Sequence, residues 1–163
     1  MLPLTPRLLT PADLPGILAV QRACHPPALQ EGAGAFARKL AGFPPGCLGL
    51  DGDGRLCAYV FCHPWPAGET VPLDGPATPS GAGDCLYIHD LAVLPERRGT
   101  GAAAALLARV SALAGQLGLD RFGLVAVQDS GPFWIRQGFR AVRSFEYAPG
   151  VSAIYMVRAS KHN

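Results

Sequence analysis

Lysine is nearly absent from this chain of 163 residues: only Lys39 and Lys161 occur, and twelve arginines supply the rest of the basic charge. Charge of either sign is scarce, at 16% of residues with a formal net of +2. That excludes the broad basic footprint of a nucleic-acid-binding protein. No apolar run reaches the ~18 residues that a membrane-crossing helix needs. The opening MLPLTPRLLT lacks an apolar core followed by a small-residue cleavage site, so a cytoplasmic protein is expected. Five cysteines (Cys24, Cys47, Cys57, Cys62, Cys85) include no CxxC pair. Cys24-His25 and Cys62-His63 have the wrong spacing for a closed tetrahedral zinc site. No metal is expected, and the thiols should be reduced. The GK[ST] of a Walker loop is also missing.

What is present describes a folded protein. Hydrophobic residues make up 49% of the chain, and the length suits one domain over residues 1–163. The 20 glycines, 16 prolines and the preference for arginine over lysine fit a GC-rich genome, so not every Gly or Pro carries structural meaning.

Periodicity and breakers divide the chain. Residues 10–24 read as a helix with Thr10 as N-cap and Pro11 in its first turn. Residues 32–43 read as a second helix, and 47–65 as a hairpin around DGDG. The segment from Pro64 to Gly83 is too rich in Pro and Gly for regular structure. A strand is expected over 84–95, a helix over 99–118 and a buried strand over 121–127. A short helix over 130–137 and a hairpin around Pro149-Gly150 complete the chain. The order αα-ββ-β-α-β-α-ββ implies a mixed α/β sheet.

The junction VLPERRGTGAAAALL, residues 93–107, is the most informative stretch. A helix N-terminus offers unpaired N–H groups and partial positive charge, a natural site for phosphate. Gly99 and Gly101 remove side chains that would hold a phosphate away, Ala102 and Ala103 keep the first turn low, and Arg98 adds a cationic donor. GTGAAA also satisfies the loose dinucleotide pattern GxGxxA. There, however, the glycines follow the strand directly and open a series of βαβ units. Here PERR intervenes, and few strands remain.

HDLAVLPERRGTGAAAALL resembles motif A of the GNAT superfamily of N-acetyltransferases, with Arg98-Gly99-Thr100-Gly101-Ala102-Ala103 matching R/Q-x-x-G-x-G/A. SGPFWIRQGF resembles motif B of the same family, ending at Gly138-Phe139. YIHDLAV is similar to the HxHxLxV run of arylalkylamine N-acetyltransferases, with Tyr87 in place of the first histidine. The resemblance implies the GNAT fold: a mixed, mostly antiparallel sheet of six or seven strands with about four helices. It also implies a splay between the strand ending at Val93 and the one ending at Val127.

The same resemblance implies a cofactor site for acetyl-CoA. The amides from Arg98 through Thr100 to Ala103 would hold its pyrophosphate. The backbone of Leu91, Ala92 and Val93 would pair with its pantetheine arm, and the N–H of Val93 or its neighbour would polarise the thioester carbonyl. Ser130, Phe133, Trp134 and Arg136 would border the remainder. A neutral amine must lose a proton during attack, and the departing thiolate gains one. Alternation places Tyr87, His89, Leu91 and Val93 on one strand face and Ile88, Asp90 and Ala92 on the other. His89, relaying through water beside Tyr87, is the candidate base; the alternative is that it only holds Asp90 or a loop in place.

One departure stands out. The family often carries a general-acid tyrosine four residues before the motif-B glycine, and Trp134 occupies that position. Either the thiolate leaves unprotonated or through water, or Tyr147 or Tyr155 on the last hairpin substitutes, and Gln128 or Ser130 would replace a missing asparagine. The expected activity is acetyl transfer to a primary amine of a small molecule or peptide by direct attack. A non-catalytic acyl-CoA-binding module is the alternative. Neither nucleic acid nor membrane is an expected partner; a homodimer is consistent with the family.

Overall fold

The computed structural model describes residues 4–74 and 82–159. Lys161 and residues 75–81 of the expected loop lie outside the described residues. Seven strands form one mixed sheet in the order β1-β2-β3-β4-β5-β7-β6. They are β1 (Arg7–Leu8), β2 (Cys47–Gly52), β3 (Arg55–Trp65), β4 (Cys85–Val93), β5 (Arg121–Ala126), β6 (Arg140–Ala148) and β7 (Val151–Ala159). The helices are α1 (Leu14–Cys24), α2 (Ala33–Gly42), α3 (Ala102–Leu117) and α4 (Gly131–Arg136). All neighbouring strands pair antiparallel except β4 and β5. Among the described residues no helix is long and apolar enough to cross a membrane.

Local sequence explains most of these boundaries. Before α1, Thr10 and Asp13 form a capping box: the Thr10 N–H donates to the Asp13 carboxylate at 2.8 Å. Asp53 and Gly54 turn the β2–β3 hairpin with φ of 55° and 76°, the left-handed pair that a tight hairpin requires. β1 has only two residues, too few for periodicity to announce it. It is held by pairing with β2 and by Arg7, which bridges Asp13 and Asp51. β3 runs through Pro64 to Trp65, past its last β2 partner at Phe61, so the irregular segment begins at Pro66.

Core packing fixes the helices to the sheet. Phe36 of α2 stacks against Tyr59 and Phe61 of β3 at centroid distances of 6.1 and 5.2 Å. Leu106, Val110 and Ala114, spaced at helical period, carry the buried face of α3.

Two irregularities in β4 matter for function. Cys62 pairs with Ile88, but Phe61 pairs with Asp90, so His89 is an extra residue in a β-bulge. β4 pairs with β5 only at Leu86–Phe122, Tyr87–Gly123 and Ile88–Leu124. A bulge bends its strand and increases the local twist. Pairing with β5 stops where the bulge begins, and the two parallel strands open into a fork.

Leu106 is fully buried. Leu106→Ala should therefore destabilise the fold by about 2–5 kcal/mol, read as a lower urea midpoint with an unchanged m-value.

Candidate active site

The junction between β4 and α3 is built by two glycines in left-handed backbone. Gly99 has φ 77° and Gly101 φ 89°. An L-residue resists that region, and it also interrupts the helix. The helix expected to start near Gly99 therefore starts at Ala102, with Gly101 as its N-cap. The first intrahelical bond runs from the Ala105 N–H to the Gly101 carbonyl at 3.0 Å. The N–H groups of Ala102, Ala103 and Ala104 precede it and face outward from the helix end. A Cβ placed on Gly99 would meet no atom within 4 Å, so the surface there is open. Arg98 Nε donates to the Val93 carbonyl at 3.3 Å, Arg97 pairs with Asp53, and the Thr100 hydroxyl donates to the Arg97 carbonyl at 2.5 Å.

From this cradle a cleft of about 630 Å³ runs into the fork. Leu91, Ala92, Val93, Arg98, Gly99, Gly101, Ala102, Ala103, Ser130, Phe133 and Trp134 all line it. Thr100 and Arg136 do not: Thr100 is turned into its loop, and Arg136 is exposed at the end of α4. Trp134 is buried, edge-on to Phe133 and Phe139 at 4.9 and 5.4 Å.

Register fixes which β4 backbone groups are available. The Leu94 N–H donates to the Cys57 carbonyl at 2.9 Å. Antiparallel pairs alternate between hydrogen-bonded and non-hydrogen-bonded. Tyr59–Ala92 is thus bonded across the ladder, while Val60–Leu91 and Ala58–Val93 are not. The backbone groups of Leu91 and Val93 point away from β3 into the fork; those of Ala92 do not.

Two histidine–carboxylate pairs close the inner end. His89 Nε2 lies 2.7 Å from Glu31 Oε1, with both side chains almost fully buried, and His89 Nδ1 has no hydrogen-bond partner among the described residues. Glu31 also accepts from Lys39 Nζ at 3.1 Å and from the Asp74 N–H at 2.8 Å. Gln21 pins its backbone through bonds of 2.7 and 2.9 Å. The second pair is His25 Nε2 with Asp90 Oδ1 at 3.0 Å; Asp90 Oδ2 accepts from Tyr59 O–H at 2.8 Å. A small inner pocket of about 40 Å³ touches His25, Glu31, His89, Asp90 and Tyr147. Tyr147 O–H donates to the Val71 carbonyl at 2.8 Å. Tyr87 is sealed in the interior, its hydroxyl accepting from the Val71 N–H at 3.3 Å, and it lines neither cavity.

Strict alternation along β4 does not survive the bulge. Asp90, expected to face away from His89, reaches His25 while His89 reaches Glu31, so both approach the segment joining α1 to α2. An extra residue shifts the pleat by one position, which a period-two reading of the sequence cannot register. Sequence reasoning also missed Glu31 and Lys39 and gave His25 only a zinc reading. Glu31 stands 58 positions from His89 and His25 stands 65 from Asp90, so no local spacing announces either pair.

Electrostatics separate the groups. Burial opposes ionisation of Glu31, but the His89 hydrogen bond, the His89 and Lys39 charges and the Asp74 N–H hold its carboxyl down at about 2. Burial likewise opposes charge on His25, yet Asp90 and Gln128 outweigh it and raise the imidazole above its ordinary value. Burial pushes the Cys85 thiol up to about 11 and raises Cys24, leaving both poor nucleophiles at neutral pH.

The Glu31 carboxyl falls from 4.5 in the unfolded chain to about 2 when folded. Its contribution, about 3 kcal/mol, is full above pH 4.5 and is lost as pH falls towards 2. Acid titration of the urea midpoint should show that decline in the wild type and a shallower one in Glu31→Gln. An unchanged acid slope in the variant would assign the titration to other groups.

Comparison with known proteins agrees with this geometry. The chain is similar to the loading GNATL domain of CurA from Lyngbya majuscula, with a TM-score of 0.84, 14% identity, and 97% of this chain and 98% of that one covered. It is similar to the GphF GNAT-like decarboxylase in complex with isobutyryl-CoA, with a TM-score of 0.82, 19% identity, and coverage of 94% and 98%. The ribosomal-protein-S18-alanine N-acetyltransferase from Escherichia coli superposes with a TM-score of 0.71 at 16% identity, covering 99% and 97%. At these identities the likeness is one of fold. No curated protein matches the sequence. The model of the acetyltransferase (GNAT) family matches residues 15–139, and with its forked sheet and amide cradle the chain belongs to that family.

Proposed function

We propose that the protein transfers an acetyl group from acetyl-CoA to a primary amine of a small molecule, by direct attack with both substrates bound. One observation carries this reading: the amide cradle and the open Leu91–Val93 edge lead to a histidine with one nitrogen on an ionised carboxylate and the other unpartnered among the described residues. Acetyl-CoA supplies an activated thioester. The Ala102–Ala104 amides and Arg98 hold its phosphates, the Val93 and Leu91 backbone groups hold its arm in turn, and the Leu91 N–H, at the inner end two residues from His89, polarises the carbonyl. Glu31 fixes the imidazole so that Nε2 donates and Nδ1 keeps a lone pair. His89 Nδ1 then takes the amine proton, through water where the amine does not touch it.

The confined inner end supports a small acceptor over a peptide. The segment from Ala67 to Asp74 is tied across it: the Gly68 N–H donates to Tyr155 O–H at 2.9 Å, Tyr147 grips Val71, and the Asp74 N–H reaches Glu31. Tyr87, deeply buried, supports this segment from below and has no proposed contact with the substrates. Trp134, which has no hydroxyl, favours a second reading as an acyl-CoA-binding module without turnover.

Thermal shift with acetyl-CoA, CoA, NAD and ATP tests the ligand. At about 100 times Kd, a CoA species should add ~2.7 kcal/mol, or roughly 5–10 °C; NAD and ATP should add nothing. Gly101→Asp should abolish the shift, and a wild type that ignores both CoA species would overturn the assignment. In a screen of small amines, His89→Gln should lower kcat by about 10²–10⁴-fold with the CoA shift retained. Unchanged kcat would remove His89 as the base, and CoA binding without transfer to any amine would favour the binding module.

A further inference from the structure

His25 ends α1 as its C-cap and lies across the fork. Nε2 sits 3.0 Å from Asp90 Oδ1 on β4, and Nδ1 sits 2.7 Å from Gln128 Oε1, just beyond β5. The Gln128 amide nitrogen points to the Cys24 carbonyl at 3.4 Å, which leaves its oxygen towards the ring. Both neighbours of the ring are acceptors, so both nitrogens donate, and the species that satisfies this geometry is imidazolium. Asp90 is fixed from behind by Tyr59 O–H. Gln128 and Asp129 hold this position at φ 56° and 58°. Consecutive non-glycine residues in left-handed backbone are costly, and such strain gathers at functional sites.

The position of the ring matters as much as its charge. Adjacent Cys24 donates to the Val93 carbonyl at 3.2 Å, and both Cys24 and His25 line the main cleft. His25 therefore stands beside the β4 edge assigned to the thioester, on the rim of the gap between the two strands. Trp134, at the position of the family's acidic tyrosine, offers no hydroxyl.

We infer that His25 is the general acid of the transfer, delivering its proton to the sulfur that leaves the acetyl group. The inference rests on the acetyl-transfer reading above. In the balanced step, the amine nitrogen bonds to the acetyl carbon, and the carbon–sulfur bond breaks with its electron pair on sulfur. His89 Nδ1 receives the amine proton, and His25 gives sulfur the Nδ1 proton that it otherwise shares with Gln128, while Nε2 stays on Asp90. Solvent then reprotonates His25 and deprotonates His89. The charged and titratable groups around His25 are Asp90 and Tyr59 from β4 and β3, Glu31 from the α1–α2 segment, His89 and Tyr147, which line the inner pocket with it, its neighbour Cys24, and Arg98 near Cys24. An alkyl thiol titrates near 8.5 and an ordinary imidazole near 6.5. The raised imidazole is the closer match for donation to such a thiolate.

Three measurements test it. In the free protein, NMR of the imidazole nitrogens should show His25 titrating above ~6.5, and falling back in Asp90→Asn. For ligand binding, CoA is compared with desulfo-CoA across pH. Wild type should favour the thiol ligand by about tenfold near the thiol's titration, the factor given by one unit of pKa depression. His25→Gln should lose that preference. In turnover, wild-type kcat should fall as pH rises through the His25 titration, because the acid form is consumed. His25→Gln should lower kcat by about 10²–10⁴-fold and lose that alkaline limb.

If His25 only staples the fork, His25→Gln will weaken CoA and desulfo-CoA alike and keep the alkaline limb, which overturns the inference while transfer itself stands. A wild type that binds neither ligand would instead bring down the acetyl-transfer reading, and this one with it.

Discussion

The separation of β4 from β5 is the constraint on which the rest of the site depends. Three residue pairs join the two parallel strands, and then the ladder stops. Inside a sheet, unpaired backbone groups are a liability unless something satisfies them. Here the His89 bulge turns β4 aside, and the register leaves Leu91 and Val93 facing the gap. The protein thus keeps a strand edge open in the middle of its sheet and places an amide-rich helix end at the mouth of that opening. A ligand with an anionic head and an extended, hydrogen-bonding arm matches both features.

Charge is placed with similar economy. The described interior holds Gln21, Glu31, Lys39 and His63 as its buried polar residues. Glu31 gathers a lysine, a histidine and a backbone N–H around one carboxylate. A buried ion is tolerated only when its lone pairs are filled, and replacing such a cluster by apolar residues is often neutral for stability. Stability alone therefore gives little reason for the arrangement. Orientation of His89 gives a better one, because a carboxylate on Nε2 sets the tautomer that leaves Nδ1 ready to accept a proton. His25, between two acceptors, is raised above the ordinary imidazole value. Two histidines near one cleft thus differ in their partners.

The legible part of the chain was what local physics controls. Helices and hairpins fell where caps, breakers and periodicity placed them, within a few residues; the starts of α1 and α3 moved furthest, α1 because Pro11–Asp13 form a 3-10 turn ahead of Leu14. At α3, positive φ at Gly99 and Gly101 delayed the start to Ala102. The same glycines that made the phosphate cradle readable also displaced the helix boundary. β1 escaped notice because two residues carry no period, and Arg7 holds it through partners at Asp13 and Asp51. Most cradle and cleft residues were recognisable because they share one continuous segment around residues 91–103 and a second around 130–134. Thr100 and Arg136 lie in those same segments but turn elsewhere, which sequence proximity cannot reveal.

The sequence by itself determined the family, the forked α/β sheet and the glycine-built end of α3, because each depends on neighbouring residues and on local backbone preference. Only the tertiary structure decided which groups meet at the inner end of the cleft. Glu31 meets His89 and His25 meets Asp90 across separations of 58 and 65 positions. Those meetings are set by the packing of the α1–α2 segment against β4. The bulge at His89 shifts the pleat by one residue and brings Asp90 to that same segment. A one-residue insertion in a ladder leaves composition and spacing unchanged, yet it reassigns every side chain beyond it.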